Sequence, residues 1–154
     1  METPKAYISF DYEKYSNEQA QFLDLLKKSN IELVIDSYTC KPTLPENQWN
    51  NVVSDKINYV NMLIVLISST SAQLKSTQKE IQAAQYQNIP VFGVYIAGAN
   101  NTTALPTGIP RERVVNLVAA DISSKIKKAM TEGKNEMLTD KASGGGTAGL
   151  EFGG

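Results

Sequence analysis

The chain has 154 residues, 42% of them hydrophobic and 20% charged, which suits one globular domain with its own core. A formal net charge of −1 leaves no electrostatic footprint for nucleic acid or an anionic membrane. The absence of histidine excludes a Ser-His-Asp triad and a His-ligated zinc, and one cysteine, Cys40, excludes an intrachain disulfide.

The elements follow in chain order. Residues 6–10 predict a first strand, ending in the polar and aromatic run Ser9, Phe10, Asp11, Tyr12 and Glu13. Phe22, Leu25 and Leu26 then set a helical stripe that stops at Ser29 and Asn30. Residues 31–35 read as a second strand, closed by Asp36. Residues 41–49 form a loop holding Pro42 and Pro45, and Val52, Val53, Ile57 and Val60 mark a second helix after Trp49. Met62–Ile67 is wholly apolar, so it predicts a central strand covered on both faces. It is far too short to span a bilayer. A third helix is expected over 77–88, a fourth strand over 91–96, a loop over 97–110, a weaker fifth strand over 114–117 and a fourth helix over 119–130. Residues 132–154 carry a run of glycines and no core-forming pattern, so a folded domain over 1–131 and a flexible tail over 132–154 are expected. No charged-then-apolar leader opens the chain, and a cytoplasmic protein is the expectation.

Strand and helix alternate at the spacing of an α/β fold. Five strands suggest a flavodoxin-like, doubly wound parallel sheet in the order 2-1-3-4-5. Ligands of such sheets sit outside the carboxyl ends of the strands, at the switch point between the first and third. That points to three loops. The first places Ser9, Phe10, Asp11 and Tyr12, and the second Asp36, where they could meet a ligand, and the third offers the hydroxyls of Ser68, Ser69 and Thr77 for a sugar or phosphate. Each has a simpler reading as a turn or cap residue. Trp49 reads first as a core anchor. Glu80 has two readings. With Thr77 three residues before it, it fits a capping box in which its carboxylate returns to the Thr77 N–H. A fixed carboxylate beside the crevice could instead stabilise a developing cation. No glycine-rich phosphate loop or dinucleotide fingerprint is present, and the third strand ends in serines rather than in a phosphoacceptor aspartate.

Taken in order, these segments resemble TIR domains, and more narrowly the TIR-like subunits of bacterial Thoeris antiphage systems. The resemblance rests on residues 6–13, on Leu33, Val34, Ile35 and Asp36, on 42–49 in the place of the family's BB loop, on 62–69, on 78–84 and on 88–94. It implies that Glu80 is catalytic and that the protein cleaves NAD+, as a nucleosidase or ADP-ribosyl cyclase. NAD+ would be the substrate, with no cofactor or metal. The product would be a cyclic ADP-ribose-type messenger for a downstream effector, and the domains would self-associate. Ser76 stands where many relatives carry Trp, and Asp11 and Tyr12 stand where some NAD-cleaving relatives carry arginines. Those departures suit the alternative of a non-catalytic assembly module. A nucleoside deoxyribosyltransferase-like enzyme, also flavodoxin-like with a catalytic Glu, is a third reading.

Overall fold

A computed structural model describes residues 3–136. Five parallel strands form one sheet in the order β2-β1-β3-β4-β5, as expected. They are β1 (Lys5–Ser9), β2 (Val34–Tyr38), β3 (Met62–Ile67), β4 (Val91–Tyr95) and β5 (Val114–Val115). Among the described residues, α1 (Ser16–Lys28), α2 (Glu46–Asn58) and α3 (Lys75–Tyr86) link β1 to β4 in turn, and α4 (Ala119–Ala129) follows β5. Residues 97–110 form turns without helix or strand.

Strand alternation sorts the core into two layers. Ala6, Ile8, Ile64, Leu66, Phe92 and Val94 pack with Phe22 and Leu26 of α1 and Ile122 and Ile126 of α4. Tyr7, Leu63, Val65 and Ile67 pack on the other face with Ile57 of α2 and Ile81 and Ala84 of α3. β3 is buried along its whole length because helices cover both faces. Ser9 follows Tyr7 at the period of two, so both belong to the face covered by α2 and α3.

β2 begins three residues later than the sequence suggests. Asn30 takes a left-handed φ of 56°, and the Ile31 N–H returns to the Leu26 carbonyl at 3.0 Å. Ile31 and Leu33 thus pack against the α1 side of the core before the chain joins the sheet. Pairing then slips: Ala6 faces Ile35, but Tyr7 faces Ser37, leaving Asp36 as the extra residue of a bulge.

α2 begins at Glu46, before Trp49, with Pro45 as its N-cap. Residues 132–136, placed in the expected tail, pack on the domain. Asn135 is fully buried, and Glu132 accepts two hydrogen bonds from Arg113, at 2.8 and 3.1 Å. The rest of that expected tail, 137–154, lies outside the described residues.

Candidate active site

Three elements deliver polar groups to one point. β1 supplies Tyr7 and Ser9, Thr39 follows the last residue of β2, and α3 supplies Thr77 and Glu80, one turn apart. All five are at most 2% exposed. Ser9 Oγ donates to Glu80 Oε1 at 2.6 Å, and Tyr7 Oη donates to Oε2 at 2.6 Å. Thr39 Oγ1 lies 3.0 Å from Oε1 and 2.8 Å from Oε2, so its single proton reaches either oxygen. Thr77 Oγ1 stands 3.3 Å from Ser9 Oγ.

This corrects the capping-box expectation. α3 starts at Lys75 with Leu74 as N-cap, and no side chain bonds to the cap. Thr77 is therefore inside the helix, and the Glu80 carboxylate turns to the strands. Glu80 is also past the first turn, where the helix dipole has faded.

The cage determines the electrostatics. Burial pushes the Glu80 carboxyl up to about 7, while the hydroxyls of Ser9, Tyr7 and Thr39 pull it the other way. The Tyr7 phenol is raised well above its usual range, first by burial and then by the neighbouring Glu80 charge. It therefore remains a donor wherever the carboxylate is ionised.

Tyr7, Thr39 and Glu80 line a pocket of about 400 Å³. Its walls include Phe10, Tyr12 and Trp49, with Cys40 and Leu44 from the β2–α2 loop. Asp11, Glu13, Glu46, Lys75 and Lys79 supply charges. Lys79 Nζ bonds to Glu46 Oε2 at 3.0 Å, tying α3 to the head of α2 and holding the Glu46 carboxyl below its usual range. Trp49 lies under Lys56, with 5.8 Å from the ammonium to the ring centroid. It is half-buried, packing against the α2 and α3 side of the core as expected while also forming part of the pocket wall.

The expected binding residues divide. Phe10, Asp11 and Tyr12 line the pocket, while Ser9 and Thr77 lie behind its wall in the cage. Ser68 is buried against Thr70 and Ser71, exposed Ser69 meets Tyr15 Oη at 3.3 Å, and neither lines the pocket. Asp36 is exposed on the edge-strand bulge and is likewise absent from the lining. Thr70 Oγ1 donates to Asp11 Oδ2 at 2.8 Å, tying the loop after β3 to the loop after β1. The pocket is bounded by the loops after β1 and β2 together with the heads of α2 and α3.

Sequence reasoning missed Tyr7 and Thr39. The signal for Tyr7 was present: Tyr7 and Ser9 are hydroxyl-bearing residues at strand spacing in an otherwise apolar β1. Thr39 gave no signal, because β2 was expected to end before it. Among the described residues, no cluster of acidic and cysteine side chains could hold a metal ion, and no helix is long and apolar enough to cross a membrane.

A doubly wound five-stranded sheet with a buried glutamate after β3 is the arrangement expected from the resemblance to TIR domains. Residues 7–101, more than half of the chain, match the family model described as Thoeris protein ThsB, TIR-like domain. The chain belongs to that family. Among solved structures, the TIR domains of the activated Roq1 resistosome directly recognizing the pathogen effector XopQ match at 12% identity and a TM-score of 0.45. That match covers 97% of this chain and 88% of the other. A search of the curated proteins found no significant match.

Proposed function

We propose that this protein is an NAD+-cleaving enzyme that makes a cyclic ADP-ribose-type signal in antiphage defence. The observation that carries the reading is Glu80: a carboxyl group held by three hydroxyls where it lines a small-molecule-sized pocket. Family membership supports the substrate class.

In this reading the ribose bound to nicotinamide lies against Glu80, and Phe10, Tyr12 and Trp49 offer apolar faces to the rings. The glycosidic C–N bond breaks heterolytically, and its electron pair goes to the nicotinamide nitrogen, which becomes neutral. The positive charge that remains on the ribosyl carbon is stabilised by the Glu80 carboxylate. Capture by water yields ADP-ribose and a proton. Capture by an adenine nitrogen of the same molecule closes a cyclic product. That product would serve a downstream effector in the cytoplasm, and copies of the domain would assemble through residues 41–49.

The test is nicotinamide release from NAD+ by the wild type and by Glu80→Gln, read by chromatography with circular dichroism as a fold control. Loss of release in the folded variant supports the assignment, and equal release rejects it.

The alternative of a non-catalytic assembly module draws on one observation, the 2% exposure of Glu80 with both oxygens already bonded. Self-association that depends on residues 41–49, with no nicotinamide release in the assembled state, would favour it.

A further inference from the structure

We propose that Tyr7 and Thr39 are positioning residues for Glu80: with Ser9, their hydroxyls hold its carboxyl ionised and in one orientation at the pocket. The inference rests on the catalytic reading for its consequence, but its geometry stands apart from the substrate.

The three donors come from different places in the chain. Tyr7 and Ser9 are 73 and 71 residues from Glu80, and Thr39 is 41 residues away. Their arrangement divides the work between the two oxygens. Ser9 holds Oε1, Tyr7 holds Oε2, and Thr39 bridges both. A carboxylate has only acceptor sites, so three O–H donors match its ionised form. A protonated carboxyl would have to donate to one hydroxyl oxygen and turn that hydroxyl away.

Thr39 is fixed in turn by the backbone. It accepts the Phe10 N–H at 3.2 Å, and its own N–H donates to the Ile8 carbonyl at 2.9 Å. Its hydroxyl thus accepts from the Phe10 N–H, and its one proton has the Glu80 oxygens at 2.8 and 3.0 Å as nearer acceptors than the Ile8 carbonyl at 3.5 Å.

Packing alone would not require this arrangement. Phenylalanine and valine would fill the same volumes without polar atoms to satisfy, and a buried polar network often stabilises less than an apolar one. What the hydroxyls add is control of charge. Hydrogen bonds to the ionised form lower a carboxyl pKa that burial raises, bringing it to about 7. The other titratable groups around the pocket are Asp11, Tyr12 and Glu13 after β1, Cys40 after β2, Glu46 of α2, and Lys75 and Lys79 of α3, beside Tyr7 in the cage itself.

The experiment is a pH titration of the full chain labelled with 13C at the glutamate carboxyls, followed by NMR. The Glu80 signal is assigned by its loss in Glu80→Gln. The wild type should titrate near 7. Tyr7→Phe and Thr39→Val should each raise the midpoint by about one pH unit or more, and Thr39→Ser should restore it. In parallel, the pH profile of nicotinamide release should move by the same amount on its acidic limb.

Unchanged or lowered midpoints in folded Tyr7→Phe and Thr39→Val overturn the proposal. The two readings separate cleanly. Shifted midpoints without nicotinamide release in any assembly state uphold the cage and reject NAD+ cleavage. Release that needs Glu80, with midpoints unmoved, upholds cleavage and rejects the cage. If Tyr7→Phe does not fold, the Val and Ser variants of Thr39 decide the question alone.

Discussion

Glu80 loses hydration on folding and gains three hydroxyl partners, with no cation among its hydrogen bonds. Burial is the larger effect, and its carboxyl is raised from 4.5 to about 7. The folded state thus binds a proton more readily than the unfolded state. The resulting stabilisation is fully present below pH 4.5 and is lost as pH rises through about 7. Across that window the contribution is about 3 kcal/mol. Glu80→Gln removes the titration, and glutamine can still accept from the hydroxyls. The variant should therefore gain stability on the wild type as pH rises from 5 to 8, as measured by urea unfolding at both pH values. A constant difference would show that Glu80 does not titrate in this range. From sequence, Glu80 was legible as a candidate because of its place after β3. Its partners were not, because a carboxylate three residues after a threonine matches a cap equally well. Only the start of α3 at Lys75 separates the two roles.

At the scale of elements, legibility followed burial. β3 matched its expected limits because every residue is apolar and covered. β2 did not, because an edge strand exposes alternate residues and gives a weak pattern. The displaced boundary carried Thr39 out of view, and with it one wall of the pocket. The C-terminal boundary shows another local device. Gly133 has a φ of 54°, and an added Cβ would stand 2.3 Å from the Asn88 carbonyl oxygen. The next N–H, of Lys134, donates to that same oxygen at 2.8 Å. Gly133→Ala should therefore cost about 1–3 kcal/mol and loosen the docked segment, seen as a lower Tm and faster amide exchange at Lys134. The neighbouring Arg113–Glu132 pair is partly solvated and bidentate. Arg113→Lys should cost only about 1 kcal/mol, measured in the same melts.

The whole molecule uses its two faces differently. The α1 and α4 face is filled with apolar side chains, whereas the α2 and α3 face carries Tyr7 and Ser9 beside its core. The parallel sheet was readable from the strand–helix alternation over β1 to β4, since parallel neighbours need a crossover connection, although β4 and β5 are joined without an α-helix. The pocket was not, because it depends on the 39–45 loop, whose conformation no periodicity encodes. That segment also presents Leu44, 44% exposed, beside the pocket. If copies assemble through it, Leu44→Asp should lower both the sedimentation coefficient at high concentration and the nicotinamide release per chain. Undiminished association would place the contact elsewhere.

Catalysis by Glu80 is decided by NAD+ turnover at high protein concentration, in wild type and Glu80→Gln side by side. Nicotinamide release by the wild type should fall at least about 100-fold in the folded variant. Equal release by both proteins would remove Glu80 from the catalytic role.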